Sequence, residues 1–361
     1  MKLQVTQENL AKALSTVARV ANTRNTLPIL ANVLLQTADN RLSISATNLD
    51  IAITHRIGSK IEKTGSITVP ARLMQDFVSS LPEGILKLEL TDNKLNITTE
   101  QYKSSINGIA ADDFPVMPAI SAGSTWKANA AELKRALSQI VFAASGDDSR
   151  PVLTGVYFHA INGEVAAAAT DSYRLAERKL GKNKDGVGFL VPASAANDLL
   201  RIIGDGDKEV TVTHDDQQVL FQVGDITLVA RLIEGNYPDY RKLIPTKFST
   251  VAKLSRADFL NIAKVSALFA REAAGSITIK IDDKKVSINA IASQLGENTA
   301  TAAAEIKGSG EVTLNSRYLI DALNAFNGEK VEFCFNGKLE PCILKSADDP
   351  KYLHLIMPLR S

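Results

Sequence analysis

The stretch QENLAKALSTVARVA at 7–21 decides the fold, because its pattern returns twice further along the chain. Its apolar residues Leu10, Leu14 and Val17 follow one another at intervals of four and three, which is the spacing of one face of a helix. The polar residues between them leave the opposite face for solvent. The stretch therefore predicts an amphipathic helix that packs on one side against a core.

The same apolar stripe recurs at 130–144 and at 256–271. With Leu10, Leu133 and Phe259 taken as equivalent positions, the intervals between the copies are 123 and 126 residues. A fixed interval of this kind is the sequence signature of repeated structural units. The chain therefore predicts three copies of one fold.

A second helix begins in each third of the chain, and its entry is also repeated. The three entries read VPAR at 69–72, VPAS at 191–194 and LNSR at 314–317. Proline suits the first turn of a helix, where its missing N–H costs nothing, and Asn315 offers a capping side chain in the third copy. The threefold repeat is thus supported by two independent sets of segments.

Short β-type runs lie between these helices, and pairs of Asp, Asn or Gly separate many of them, as expected of hairpin turns. These pairs are Asp39-Asn40, Asp92-Asn93, Asn162-Gly163, Asp282-Asp283 and Asn336-Gly337. Each third then contains two helices and about eight antiparallel strands, so the predicted fold class is α+β. The repeat interval divides the chain into three predicted domains at 1–122, 123–248 and 249–361.

Composition bounds the class of protein. The chain has 361 residues, 45% hydrophobic and 22% charged, which is enough core material for two or three folded domains. Its 41 Lys and Arg against 40 Asp and Glu argue against a protein that coats nucleic acid through overall charge, but allow a local basic surface. Nothing near Met1 has the pattern of a signal peptide, so we expect a soluble cytoplasmic protein.

No pattern in the sequence predicts catalysis, a metal site or a cofactor. The chain lacks a P-loop, a nucleophile elbow and a dinucleotide-binding glycine pattern. Its four histidines lack the spacing of zinc ligands, and its two cysteines, Cys334 and Cys342, are too few for a disulfide scaffold. Five Asp-Asp pairs mostly fall where turns are expected. We therefore expect a non-enzymatic protein.

The helical segments carry a weak positive charge. Six acidic residues lie in them, and the ten basic residues are Lys12, Arg19, Arg72, Lys134, Arg135, Arg201, Arg256, Lys264, Arg271 and Arg317. If all six helices faced the same way, their surface would be mildly positive and the rest of the chain mildly negative. On this count alone, ordinary solvated helix faces are the simpler interpretation.

Several motifs together resemble one protein family. They are TLPIL at 26–30, VPAR at 69–72, ATDSYRLA at 169–176, EGNYPDY at 234–240 and MPLR at 357–360. In this order they resemble the bacterial DNA polymerase III beta subunit, the DNA sliding clamp, over the whole chain. The resemblance implies three clamp domains that form half of a ring, and a head-to-tail homodimer with helices around the hole and sheets outside. Such a ring encircles double-stranded DNA without sequence preference and catalyses no reaction.

The resemblance also implies partners and site residues. The partners are the DNA polymerase III alpha subunit, the clamp-loader delta subunit and other proteins with a clamp-binding motif, with no membrane. The implied peptide pocket comprises Thr170, Ser172, Tyr173, Arg174, Leu175, Pro238, Lys242, Leu243, Leu339, Pro341, Leu355, Met357, Pro358, Leu359 and Arg360. The implied DNA contacts are Arg24, Arg72 and Arg150, and the implied dimer contacts are Ile106, Leu268 and Phe269.

Two other classes of function stay open at this point. One is a multidomain β-rich binding or adhesion module, against which the missing signal-peptide pattern counts. The other is a hydrolase that uses an Asp pair at a site between repeats. A stable dimer in size-exclusion chromatography would favour the clamp, because neither alternative requires one.

Overall fold

The computed structural model describes residues 1–21, 27–115, 120, 123–182, 187–271, 274–282, 284–294 and 296–360. The chain forms two compact units. The first contains Met1–Ala131 and Arg201–Leu232, and the second contains Glu132–Leu200 and Ile233–Ser361.

Six α-helices lie in the described residues, two in each third of the sequence. They are α1 Gln7–Val17, α2 Ala71–Ser80, α3 Ala130–Ile140, α4 Ala193–Ile202, α5 Arg256–Phe269 and α6 Ser316–Ala325. All six predicted helices are confirmed, although α1 and α3 end a turn earlier than the apolar stripe suggests. A short 3-10 helix, Val141–Ala143, follows α3. The stripe residues Leu10, Leu133 and Phe259 are fully buried, so the stripes pack inward as predicted.

Side chains cap α1, α5 and α6. The hydroxyls of Thr6 and Ser255 accept hydrogen bonds from the backbone in the first turns of α1 and α5, at 3.4 and 3.2 Å. Asn315 caps α6 as predicted, since its Oδ1 accepts from the Arg317 N–H at 2.9 Å. The prolines that the sequence places in the first helical turn stand one residue earlier, because Pro70 and Pro192 are the last residues of the preceding strands.

Twenty-five strands lie in the described residues, nine, eight and eight in the successive thirds of the sequence. They are β1 Lys2–Thr6, β2 Asn32–Ala38, β3 Arg41–Thr47, β4 Ile51–Gly58, β5 Lys60–Lys63, β6 Ser66–Pro70, β7 Ile85–Thr91, β8 Lys94–Thr98, β9 Lys103–Asn107, β10 Ser124–Asn129, β11 Gly155–Ile161, β12 Glu164–Thr170, β13 Arg174–Lys182, β14 Gly188–Pro192, β15 Glu209–His214, β16 Gln218–Val223, β17 Ile226–Arg231, β18 Thr250–Ser255, β19 Ser276–Asp282, β20 Lys285–Ala292, β21 Gly296–Lys307, β22 Gly310–Asn315, β23 Lys330–Phe335, β24 Cys342–Lys345 and β25 Tyr352–Ile356.

The first unit contains two antiparallel sheets. One has the strand order β5-β1-β7-β8-β9, and the other has the order β10-β15-β16-β17-β4-β3-β2-β6. The helices α1 and α2 pack against each other, and α1 also packs on β3 and β4. The larger sheet joins strands of the first and second sequence repeats, because β17 pairs with β4.

The second unit is built on one antiparallel sheet of twelve strands. Its order is β14-β11-β12-β13-β25-β24-β23-β18-β21-β20-β19-β22, and the helices α5 and α6 pack against each other beside it. The pairing of β13 with β25 joins strands of the second and third repeats. The compact units therefore do not follow the repeats, because the strands of the second repeat are shared between the sheets of both units.

The hairpin signals of the sequence are mostly confirmed. Asp39-Asn40, Asp92-Asn93 and Asn162-Gly163 all have positive φ at both residues, as the tight two-residue turns of hairpins require. Asp283 lies outside the described residues. Asn336-Gly337 is different, since the connection from β23 to β24 runs from 336 to 341. The Asn336 side chain instead bonds to the backbone of Ser249 and Lys247, which holds this longer loop in place.

One turn recurs at the repeat interval with the same hydrogen bonds. In the first copy Thr47 Oγ1 donates to the Ile51 carbonyl, and in the second Thr170 Oγ1 donates to the Arg174 carbonyl. The middle residue of each turn, Leu49 or Ser172, has a positive φ of 80° or 77°. Each turn leads directly into a strand that joins two repeats, β4 or β13.

The backbone pairing beyond these two turns is also the same. The N–H of Arg231 donates to the Asp50 carbonyl in the first unit, and the N–H of Met357 donates to the Tyr173 carbonyl in the second. Asp50 and Tyr173 therefore hold equivalent positions. We call the two places, β4 with β17 and β13 with β25, the sheet junctions.

Candidate peptide groove and DNA-facing residues

The floor of the candidate groove is formed by the second sheet junction. Leu175 on β13 lies opposite Leu355 on β25, and both are 2% exposed. They pack with Tyr240 and Ile343 in one buried cluster, against which the partly buried Met357 rests. The structure thus brings together residues that are 180 positions apart in sequence, as the resemblance implies. Leu175 and Leu355 are core residues, however, so they support the groove from below.

The edge of the groove is the turn that precedes β13. The Asp171 carboxylate accepts the backbone N–H groups of Tyr173 and Arg174, each at 2.9 Å, which fixes the turn. Its geometry leaves the Tyr173 side chain 61% exposed. The positive φ of Ser172 suits glycine better than serine, so this backbone is held by the surrounding hydrogen bonds.

Arg174 belongs to the implied pocket, but its side chain is 10% exposed and is engaged inside the unit. It donates to Asp171 at 3.0 Å, to Asp321 on α6 at 2.7 Å and to the Phe142 carbonyl at 2.8 Å. Its guanidinium also lies over the rings of Phe142 and Tyr318. These contacts join the turn to α6, so Arg174 holds the turn at the edge of the candidate groove in place.

A 3-10 helix, Tyr240–Leu243, carries two of the implied pocket residues. Leu243 is 54% exposed and Lys242 is exposed as well. The Lys242 ammonium forms an ion pair with Asp239 at 2.9 Å, and this carboxylate raises the pKa of the lysine. Pro238, just before the helix, is exposed too.

The other implied pocket residues come from the last third of the chain. Leu339, 65% exposed, and the partly buried Pro341 lie in the loop between β23 and β24. The chain after β25 continues through Pro358 and Leu359, and the Leu359 N–H donates to the Thr313 carbonyl at 2.8 Å. Arg360 is exposed at the end of the described chain.

Behind the 3-10 helix lies a hydrogen-bonded group that the sequence analysis missed. The Tyr240 hydroxyl donates to Glu177 Oε2 at 2.6 Å and lies 2.7 Å from His159 Nε2. Arg241 donates to the same Glu177 oxygen at 3.1 Å. Glu177 follows Leu175 by two residues on β13, and this period of two was the available signal, since it places both side chains on one face of the strand.

Burial governs the protonation of this group. Burial raises the pKa of the Tyr240 hydroxyl far above its usual range, and the Glu177 carboxylate beside it acts in the same direction. Burial also lowers the pKa of His159, while Glu177 opposes and Arg241 adds to that effect. His159 is therefore neutral near pH 7, and it can donate its Nε2 proton to the Tyr240 oxygen. The ring of Tyr157 stacks between those of His159 and Tyr237, with distances between ring centroids of 4.7 and 4.9 Å.

The implied DNA contacts stand in different surroundings. Arg24 lies outside the described residues. Arg72 on α2 has an 89% exposed side chain that approaches Asp76 only to 3.9 Å. Arg150 is exposed, and its Nη1 donates to the Ser172 hydroxyl at 3.2 Å.

The basic residues of the helical segments divide into two groups. Arg135 forms an ion pair with Asp349 at 3.3 Å, and Arg256 donates to the Gly328 and Leu323 carbonyls near the end of α6. Both side chains therefore stabilise the folded chain through these contacts. The exposed members are Lys12, Arg19, Arg72, Arg201, Lys264, Arg271 and Arg317, whereas only three of the six acidic residues are exposed.

The implied dimer contacts lie on one element of each unit. Ile106 is on β9, and its side chain is 6% exposed because it packs into its own unit. Leu268 is 53% exposed near the end of α5, and Phe269 beside it is half-buried. Val265, one turn before Leu268, is also exposed, so α5 has an apolar stripe that its own unit leaves uncovered.

Within the described part of the chain, no three His, Cys, Asp or Glu side chains are grouped so that they could bind a metal ion. Among the same residues, no helix is both long and apolar enough to span a membrane.

These features define a class of protein: a chain of repeated α+β domains whose antiparallel sheets continue from one repeat into the next, with exposed apolar side chains such as Tyr173 beside a sheet junction. The chain matches the DNA polymerase III beta subunit in three consecutive parts, the N-terminal domain at 1–118, the central domain at 127–239 and the C-terminal domain at 241–360. It therefore belongs to the DNA polymerase III beta subunit family, the beta sliding clamps.

Individual relatives agree with this assignment. A beta sliding clamp of Synechococcus elongatus is 32% identical over 372 residues, which cover 100% of this chain and 99% of the relative. The crystal structure of the DNA polymerase sliding clamp from Bacillus subtilis is 27% identical with a TM-score of 0.95, over 100% of this chain and 99% of that one. A DnaN sliding clamp from Pseudomonas aeruginosa bound to griselimycin is 26% identical with a TM-score of 0.96, over 100% of both chains.

The assignment decides between the functions that the sequence left open. The three clamp domains of α+β class are confirmed, and so is the interpretation of the chain as a DNA sliding clamp. Members of this family are non-catalytic processivity factors, so the hydrolase and the adhesion module are set aside.

Proposed function

We propose that this sliding clamp binds partner proteins through the groove beside the second sheet junction. The observation that carries the proposal is the contrast between floor and rim. Leu175 and Leu355 are buried below, while Tyr173, Leu243 and Leu339 are between 54% and 65% exposed. Exposed apolar side chains above an apolar floor suit the anchors of a short linear peptide, which lose water when they insert.

The peptide that fits has the form Gln-Leu-x-Leu-Phe, with leucine and phenylalanine as anchors. We infer that the DNA polymerase III alpha subunit and the clamp-loader delta subunit present such segments, because the family works with a polymerase. The remaining implied residues complete the groove: Thr170, Ser172 and Arg174 order its turn, and Pro238, Lys242, Pro341, Met357, Pro358, Leu359 and Arg360 line it.

We further propose a head-to-tail homodimer in which each chain forms half of a ring, with domains at 1–122, 123–248 and 249–361. Two open strand edges support this arrangement. In the described sheets β9 pairs on one side only, with β8. The strand β21 pairs with β20 over 296–303, but with β18 only from 304 to 307. A contact between two different edges, with Ile106 near one and Leu268 and Phe269 near the other, closes after two copies.

The ring would encircle duplex DNA with its helices facing the hole, in the cytoplasm where replication takes place. The excess of exposed basic residues in the helical segments supports this orientation. Arg24, Arg72 and Arg150 would contact phosphates, and contacts to phosphates carry no sequence information. Retention by enclosure needs only weak attraction, and weak attraction leaves the ring free to slide.

The test is retention on DNA of different topology. A clamp loader should place the protein on nicked circular DNA, where it should stay through gel filtration in moderate salt. Cutting the circle should release it, because a ring slides off a free end. Equal retention on circular and linear DNA would contradict enclosure.

A further inference from the structure

The 3-10 helix Tyr240–Leu243 is too short to hold its own position. It has four residues, and no side chain caps its N-terminus. Single 3-10 turns have poor hydrogen-bond geometry, so tertiary contacts must fix them. Since this helix carries Lys242 and Leu243 at the rim of the proposed groove, whatever fixes it also sets the shape of the rim.

The contacts that fix it converge on one carboxylate. Tyr240 is 3% exposed, and its hydroxyl donates to Glu177 Oε2 at 2.6 Å. Arg241, the next residue, donates to the same oxygen at 3.1 Å. His159 on β11 lies 2.7 Å from the Tyr240 hydroxyl on its other side. Hydrogen bonds to an ionised carboxylate are shorter and stronger than neutral ones, and burial of Glu177 strengthens them further.

The same strand supplies the floor and this anchor. Leu175 and Glu177 lie on one face of β13, and they pair with Leu355 and Leu353 on β25. The 3-10 helix Tyr240–Leu243, which we call the rim helix, is therefore hydrogen-bonded to β13, the strand that carries the floor. The bonded residue, Glu177, lies two residues after Leu175.

We propose that Glu177, Tyr240 and His159 are positioning residues for peptide binding, because together they hold the rim helix over the floor of the groove. This rests on the proposed peptide site. The Tyr240 ring is buried in the core beneath the rim helix. Its hydrogen bonds to Glu177 and His159 fix the position and orientation of the helix relative to β13 and β11. Leu243 then stands where a peptide anchor meets it.

The test compares two conservative substitutions, each of which removes or replaces one atom. Tyr240→Phe keeps the buried ring and removes the hydroxyl, and Glu177→Gln keeps an acceptor for that hydroxyl but removes the charge that holds Arg241. We expect Tyr240→Phe to weaken the binding of a fluorescein-labelled Gln-Leu-Ala-Leu-Phe peptide about tenfold, and Glu177→Gln to weaken it by a smaller factor. Tyr157→Phe is the matched control, because its ring lies in the same stack but its hydroxyl is not part of this chain of bonds. It should bind as the unaltered protein does.

A thermodynamic cycle separates positioning from general damage. In a Leu243→Ala background the positioned side chain is gone, so Tyr240→Phe should reduce affinity by a much smaller factor than it does with Leu243 present. A reduction by the same factor in both backgrounds would overturn the proposal, and so would unchanged affinity in both Tyr240→Phe and Glu177→Gln.

The peptide site itself can fail separately. If the unaltered protein does not bind the peptide, or if Met357→Ala and Leu243→Ala both bind it normally, the proposed groove is wrong and the positioning role falls with it. If those two variants bind weakly while Tyr240→Phe and Glu177→Gln bind normally, the groove stands and only the positioning role is wrong.

Discussion

At the scale of single residues, the burial of His354 on β25 makes the free energy of unfolding depend on pH. Its ring is fully buried and stacks on Phe142 at 5.6 Å, and its Nδ1 lies 3.2 Å from the Tyr352 hydroxyl. Burial, with a smaller effect of the nearby Arg174 cation, lowers the pKa of His354 to about 3. The folded protein therefore keeps this histidine neutral over a range in which the unfolded chain takes up a proton.

The consequence has a definite sign. The unfolded histidine titrates near pH 6.5 and the folded one near 3, so the free energy of unfolding falls as the pH decreases between these values. His354→Phe should remove this contribution and make the pH dependence shallower by about 1.4 kcal/mol per pH unit between pH 6 and 4. Urea unfolding of both proteins at several pH values measures it. Tyr352→Phe is the control, since it removes the hydroxyl near His354 but no group that titrates here. Parallel curves for His354→Phe and the unaltered protein would contradict the prediction.

The groove residues should respond to truncation according to their exposure. Leu243→Ala and Met357→Ala should each weaken binding of the Gln-Leu-Ala-Leu-Phe peptide by about 1–3 kcal/mol, because each removes apolar surface that the peptide would cover. Fluorescence anisotropy measures the affinity. Leu73 on α2 is the matched control, since it is 54% exposed like Leu243 but lies in the other unit.

Leu175→Ala should behave differently from these rim variants. Leu175 is 2% exposed, so its truncation leaves a cavity and should lower the free energy of unfolding by about 2–5 kcal/mol. Loss of peptide affinity without loss of stability in Leu175→Ala would mean that this side chain lies on the surface.

At the scale of elements, α5 combines a buried and an exposed apolar stripe. Phe259 and Ala263 pack into the unit, while Val265 and Leu268 lie one turn apart on the outside. An uncovered apolar stripe next to an open strand edge is typical of an interface with another chain.

Charged residues on this stripe should therefore disrupt the proposed dimer. Replacing Leu268 and Phe269 with aspartate should yield monomers in analytical ultracentrifugation, because the interface would have to bury two unpaired charges. Lys264→Glu is the control on the same helix, since it changes an exposed charge and leaves the apolar stripe intact. A double variant that still sediments as a dimer would show that α5 takes no part in the interface.

The sequence predicted elements better than contacts. Helical stripes, hairpin pairs and the repeat interval depend on local spacing. The structure reproduces the stripes, the interval and three of the five hairpin pairs, with helix ends that differ by a few residues. The role of Arg174 was not predictable, because its partners Asp321 and Phe142 are distant in sequence. Glu177 was missed because its partners Tyr240 and Arg241 are distant in sequence, although its spacing of two from Leu175 places it on the same face of β13.

At the scale of the whole molecule, sheets connect the repeats more than loops do. The second repeat contributes strands to the eight-stranded sheet of the first unit and to the twelve-stranded sheet of the second. A buried ion pair adds to this in the second unit, where Arg178 on β13 donates to both oxygens of Asp349 at 2.8 and 2.7 Å and to Gln139 on α3. Backbone pairing therefore continues across repeats within each unit, although the sequence suggests three independent blocks.

The two sheet junctions share a backbone and differ in their side chains. Where the second has Tyr173 and Met357, the first has the charged pair Asp50 and Arg231. Where the second has Leu175 opposite Leu355, the first has Ala52 opposite Val229. The first junction thus has smaller apolar side chains and a charged pair where the second has larger apolar ones. The proposed recognition site would therefore depend on the side chains of one junction, while the backbone pairing that joins neighbouring repeats is present at both.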